Sequence, residues 1–170
     1  MPTRKIVTHP DPVLRRKARK VTEFTPELQA LIDDMVETMR VAPGVGLAAP
    51  QVDVSLRVIV VEFGDEDDPD VPAKLYALVN PEITRLSQDK EVGAEGCLSI
   101  PGFAGNVERP LEVVIKGQNR HGKAVRIKAD GWLARIFQHE IDHLDGVLFI
   151  DRAERVWRLE DEDIEAVAAD

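Results

Sequence analysis

The chain has 170 residues, 44% of them apolar and 31% charged, with a formal net charge of −9 at pH 7. This length suits one domain with a substantial core, and the acidic balance argues against direct binding to nucleic acid. No apolar stretch reaches membrane-spanning length, no signal-type segment follows Met1-Pro2-Thr3-Arg4-Lys5, and a single cysteine excludes an internal disulfide, so a cytoplasmic location is expected.

Thr25 has the chemistry of an N-cap, with Pro26 at the first helical position, and Leu28, Leu31, Ile32, Met35 and Met39 follow at helical spacing. Pro43-Gly44 ends that helix. Gly44-Val45-Gly46-Leu47-Ala48-Ala49-Pro50-Gln51 is small and apolar, and it lacks the Lys-Ser/Thr of a phosphate-binding loop. Residues 56–63 read as a buried strand, 64–70 as an acidic loop, and 75–79 as a strand stopped by Asn80-Pro81. Residues 111–116 and 124–128 make a hairpin across 119–122. A helix runs from an N-cap at Asp130 to a terminator at Gly146 and is apolar nearly all round, which marks it as central. The expected fold is α+β: antiparallel and mixed β-sheets packed around this helix, one domain over 1–170, with a short acidic tail at about 153–170.

That helix carries His139-Glu140-Ile141-Asp142-His143. Side chains at i and i+4 leave one face, so both imidazoles reach a single metal ion. Glu140 points about 100° round from His139, placed to hold a proton beside the metal. Trp132 and Ile136 share the histidine stripe and are expected to wall a pocket below it.

A catalytic site of this kind needs a third protein ligand and an open position. Phe149 stands where one common continuation of the motif has a histidine, and it cannot bind metal. Glu162 lies nineteen residues after His143, a formal match to another continuation, but it sits in the acidic run Glu160-Asp161-Glu162-Asp163, where many spacings would find a carboxylate. His9 is in a proline-flanked segment and His121 in a turn. Cys97 remains, in Glu95-Gly96-Cys97-Leu98-Ser99-Ile100-Pro101-Gly102, whose glycines suit close backbone approach. A lone cysteine is usually a small buried hydrophobe, yet its thiolate suits a borderline-soft divalent metal.

Three segments together resemble the peptide deformylase family: residues 44–51, Glu95-Gly96-Cys97-Leu98-Ser99, and Gln138-His139-Glu140-Ile141-Asp142-His143. The resemblance extends from about Ile6 to Arg152. It implies removal of the formyl group from N-formylmethionyl nascent polypeptides, with release of formate. Cys97, His139 and His143 would hold one divalent ion: ferrous iron in the cell, with zinc, nickel or cobalt as substitutes. Glu140 would be the proton carrier, and the Gln51 side-chain amide and Leu98 backbone N–H the donors to the carbonyl oxygen. Val45, Gly46 and Gly96 would pair with an extended peptide whose methionine side chain enters the pocket by Trp132 and Ile136. The ribosome would be a transient partner. The chain departs from some members at Phe103-Ala104-Gly105, where they carry an arginine, and in its short acidic tail in place of a long basic helix. Two other readings stand beside this one. The first is a zinc endopeptidase using Glu162, and the second a non-catalytic protein with a structural metal.

Overall fold

Two antiparallel sheets meet over the histidine-bearing helix. The computed structural model describes residues 2–64, 68 and 70–159. Its elements in order are α1 (Pro26–Val41), β1 (Gly46–Ala48), β2 (Val58–Phe63), β3 (Lys74–Leu86), β4 (Lys90–Cys97), β5 (Ile100–Pro110), β6 (Glu112–Gln118), β7 (Ala124–Asp130), α2 (Gly131–Leu144), α3 (Phe149–Arg152) and β8 (Arg155–Arg158). One sheet has the order β1-β2-β3-β6-β7 and the other β4-β5-β8. All strand pairings in both are antiparallel, with one isolated parallel bridge between Arg19 and Leu56 among the described residues.

The first helix forms as its sequence dictates. Thr25 Oγ1 accepts a hydrogen bond from the Leu28 N–H at 3.2 Å, a cap worth about 1 kcal/mol. Leu28, Leu31, Ile32, Met35 and Met39 are buried against Leu47, Val58 and Val60 of the large sheet. The second helix is buried from Ala134 to Ile141 and again at His143 and Leu144. It touches β1, β2 and β7 of one sheet and β5 of the other, so it lies between them. Asp130 stands at the N-cap position but makes no side-chain capping bond.

The strand expected to stop at Asn80-Pro81 instead continues to Leu86. Asn80 takes φ +53°, and the register with β6 shifts between Val79 and Glu82. Its amide receives the Val21 N–H at 2.9 Å and donates to Val21 O and Gln118 Oε1 at 2.9 and 2.8 Å. A bulge therefore absorbs a residue pair that would otherwise end a strand, and proline is tolerated there because no ladder hydrogen bond is demanded of it.

Four strands, β1, β4, β5 and β8, have no counterpart in the sequence reading. β4 is glycine-rich and does not alternate, and its conformation is set by pairing with β5 from Lys90↔Pro110 to Gly96↔Ala104. β8 falls inside the stretch expected to be tail and pairs Arg155–Arg158 with Asn106–Phe103. Residues 160–170 of that tail, including Glu162, lie outside the described residues. Among the described residues no helix is long and apolar enough to cross a membrane.

Candidate metal centre

One turn of α2 sets His139 above His143, and Cys97 arrives at the end of β4. Cys97 Sγ lies 3.4 Å from His143 Nε2, which lies 3.2 Å from His139 Nε2. Metal bonds of about 2.0–2.3 Å in tetrahedral array put neighbouring ligand atoms roughly 3.3–3.6 Å apart. The spacing fits one ion, and the donor set of one sulfur and two imidazole nitrogens suits a borderline-soft divalent metal. Among the described residues these three form the one cluster with that capacity, all buried, with ligand atoms within 4.8 Å of each other. His9 and His121 are not part of it.

The surroundings fix which nitrogen faces inward. His139 Nδ1 lies 3.0 Å from Glu95 Oε1. A carboxylate only accepts, so Nδ1 carries the proton and Nε2 presents its lone pair to the cluster. Glu95 is gripped on its other sides by Arg109, whose Nε and Nη2 donate at 2.6 and 2.8 Å, and by Arg135 Nη1 at 2.7 Å. Burial pushes the Glu95 pKa up, but the hydrogen bonds from Arg109 and His139 more than offset it and hold the carboxyl well below its ordinary range. Arg109 continues to Asp142 at 3.0 Å, which also accepts from Arg152 Nε and Nη2 at 2.6 and 2.9 Å. Burial, with His139 and Arg109 as neighbours, holds the His143 pKa well below 6.5 and keeps the ring neutral, as a ligand must be.

Gln51, fully buried in the 3₁₀ turn Ala49–Val52, is oriented by its neighbours. Its Oε1 accepts the Ala48 N–H at 3.0 Å, so Nε2 points to Ser99 Oγ at 3.1 Å and Cys97 Sγ at 3.6 Å. Glu140 is fully buried against β1: a Cβ built on Gly46 would fall 2.6 Å from Glu140 Oε2. Glycine is needed there because the carboxylate occupies the space of a side chain. Leu98 makes the turn between β4 and β5, its side chain packed towards the α1 side of the core. Val45 O accepts the Glu62 N–H at 2.9 Å, just before Gly46 enters β1. A small hollow is bordered by His139 and Glu95 themselves together with Val45, Gly96, Trp132, Arg135 and Ile136.

The sequence reading did not reach Glu95, Arg109, Arg135 or Asp142 as parts of the site. For Glu95 a signal was present: two residues before Cys97 on a strand is the same face. Arg109 is supplied by a strand the sequence did not reveal, and nothing local marks it.

The model of the polypeptide deformylase family matches residues 3–158. The chain belongs to this family. It is 50% identical over 161 residues to the peptide deformylase of Natranaerobius thermophilus, covering 95% of this chain and 99% of the relative. With that of Halothermothrix orenii it is 54% identical over 156 residues, covering 92% and 97%. It is also similar to the crystal structure of the Thermotoga maritima peptide deformylase, at a TM-score of 0.84 and 42% identity over 91% of this chain and 100% of that one. A second solved structure similar to it is that of the Synechococcus elongatus peptide deformylase in complex with actinonin, at a TM-score of 0.81 and 43% identity over 91% of this chain and 81% of that one. The chain is accordingly a peptide deformylase in activity, a hydrolase that takes the formyl group from the N-terminus of nascent polypeptides. The family is metal-dependent, and neither the endopeptidase nor the structural-metal reading is favoured.

Proposed function

We propose that Cys97, His139 and His143 hold one divalent ion, ferrous iron in the cell with zinc, nickel or cobalt as substitutes. Bound there, the ion supplies Lewis acidity and brings the pKa of water towards 7. Glu140 takes the proton of the attacking water and delivers it to the departing amine. Gln51 Nε2 and the Leu98 N–H donate to the formyl oxygen as it gains charge. The Ala48 bond to Gln51 Oε1 keeps that amide aimed before substrate arrives. The observation that carries this reading is the convergence of three buried ligand atoms within 4.8 Å, beside the one glutamate that packs on Gly46.

The substrate enters as an added strand. β1 ends the five-stranded sheet and β4 ends the three-stranded one, and Val45, next to Gly46 at the start of β1, and Gly96 of β4 border the hollow by His139, so the backbones of Val45, Gly46 and Gly96 are the edges offered to a peptide. The methionine side chain occupies that hollow between Trp132 and Ile136. A peptide deformylase of Acinetobacter baumannii, 39% identical to this chain, has been solved with Met-Ala-Ser bound, which supports a short methionyl peptide as the occupant here. The reaction belongs in the cytoplasm. The ribosome is met transiently through the nascent chain, without direct contact with RNA, as the net charge of −9 favours. Residues 1–170 act as one catalytic domain.

Formate release from formyl-Met-Ala-Ser by protein purified without oxygen, with its metal content measured, tests this directly. Turnover that tracks iron occupancy, with no hydrolysis of casein, is expected. Casein cleavage without formate release would overturn it.

A further inference from the structure

Arg135 stands where the side-chain pocket and a metal ligand meet. It lies on α2 one turn before His139, so the two side chains leave the same face. Its guanidinium helps border the hollow, with the Trp132 ring centre 5.6 Å from Cζ. The same group donates from Nη1 to Glu95 Oε2 at 2.7 Å and to the Val107 carbonyl at 2.9 Å, and from Nη2 to the Glu91 carbonyl at 2.7 Å. Gly93 lies flat against it, since a Cβ there would fall 2.8 Å from Cζ. One buried side chain thus joins α2 to β4 and β5 while touching both the pocket and Glu95.

Glu95 orients His139 through Oε1, and its own orientation depends on how both oxygens are held. Arg109 holds both oxygens from β5 and is not part of the pocket wall. Of the two guanidiniums on Glu95, Arg135 is the one that borders the hollow, beside Glu95 and His139 themselves. A side chain seated against Trp132 would pack beside the guanidinium that Glu95 and the Val107 and Glu91 carbonyls hold, and so would bear on the geometry of that fork.

We propose that Arg135 is a positioning residue that conveys filling of the side-chain pocket to His139 through Glu95, making turnover itself depend on the side chain recognised. This rests on the ligand set proposed above. Its consequence is that a long side chain raises kcat as well as lowering KM, and that the kcat part is lost when the fork of hydrogen bonds is removed.

The test compares wild type, Arg135→Met and Arg135→Lys on formyl-Met-Ala-Ser and formyl-Ala-Ala-Ser, with cobalt(II) titration of each metal-free protein followed by absorption. In Arg135→Met, kcat for the methionyl peptide is expected to fall towards that for the alanyl peptide. Cobalt affinity is expected to drop about 10–100-fold, the usual scale for a residue behind a metal ligand, with shifted d–d bands. Arg135→Lys keeps the charge and one donor and is expected to recover part of both. A rise in KM alone, with kcat and the cobalt spectrum unchanged, would leave Arg135 as pocket wall and overturn the proposal. So would an equal fall in kcat for both peptides with an unchanged spectrum. Should Arg135→Met not fold, the same readouts on Arg135→Lys decide. A wild-type protein that binds no cobalt, or binds it without a thiolate-to-metal absorption band, would instead overturn the ligand set, and that result is read before any variant.

Discussion

His139 Nδ1 donates to Glu95 Oε1 at 3.0 Å, and the carboxylate that receives this bond is itself held by Arg109 and Arg135. The ring is therefore fixed in tautomer and direction by a charge that cannot turn away. Such a partner raises the basicity of the ligand nitrogen and prevents the ring from rotating out of the site.

Glu95→Gln follows from this relationship. The amide keeps an oxygen for His139 but leaves Arg109 and Arg135 without the negative charge between them. Breaking a buried ion pair on one side costs about 3–5 kcal/mol. Urea unfolding of the metal-free variant is expected to show a loss of that order, and metal titration a fall in affinity of about 10–100-fold. Unchanged affinity would mean that Glu95 braces the fold without orienting His139.

Acid sensitivity has a defined sign. The folded Glu95 pKa is depressed below an unfolded value of about 4.3, so its contribution is complete above that value and is lost as pH falls through it towards the folded one. The His143 pKa is also depressed, below about 6.5, so the protein gains stability until pH exceeds that value and loses it on acidification. The urea midpoint of metal-free protein is expected to decline below pH 6.5 and to steepen below pH 4.3. Glu95→Gln should reduce the steepening, leaving the smaller share from Glu62 and Asp151, whose carboxyls Arg40 and Arg15 also hold low, and keep the earlier decline. An identical pH profile in both proteins would contradict the assignment.

Gly46 and Glu140 are coupled sterically. In Gly46→Ala the new methyl would lie 2.6 Å from Glu140 Oε2 and 3.0 Å from Cδ, so the carboxylate must move. With Glu140 in the proposed role of proton carrier, its displacement is expected to lower kcat by ~10²-fold with metal content intact. Retained kcat would show that Glu140 works from a range of positions.

Much of the site was legible because its chemistry is local. The helical spacing of His139 and His143, the neighbouring Glu140 and the turn holding Cys97 are written in short segments. The α1 cap at Thr25 and the β6–β7 hairpin are local for the same reason. What escaped is non-local. β4 and β5 hold one another in register without an apolar alternation in β4, and β8 joins them from the far end of the chain. Arg109 reaches Glu95 only because that pairing exists. At Asn80-Pro81 the local stop signal was real, but the side-chain bonds of Asn80 to Val21 and Gln118 carry the strand through it.

Ligand and base are separable by substitution. Cys97→Ser replaces a thiolate by a neutral hydroxyl, and loss of metal together with activity is expected. Glu140→Ala is expected to keep the metal and lower turnover by at least ~10²-fold. Metal analysis beside formate release distinguishes them. Full metal occupancy and activity in Cys97→Ser would remove the thiolate from the ligand set, and metal loss in Glu140→Ala would place that carboxylate in it.

The width of the hollow proposed to take the methionine side chain is set from the same helix that carries His139 and His143. Ile136 is buried, precedes His139 by three residues and borders the hollow with Trp132, so shortening it enlarges the space below the metal centre without touching a ligand. Ile136→Ala is therefore expected to shift preference from formyl-Met towards formyl-Phe peptides by ~1–3 kcal/mol in relative kcat/KM, the range for one or a few methylenes in an apolar pocket. Because the residue also packs with Phe137 and Ile141 in the core, some stability is lost as well, of order 2–5 kcal/mol for a large-to-small change. The ratio between the two peptides is insensitive to that loss, since both are measured on the same folded fraction. An unchanged ratio would return Ile136 to core packing alone and move the recognition of methionine to the Trp132 and Arg135 side of the hollow.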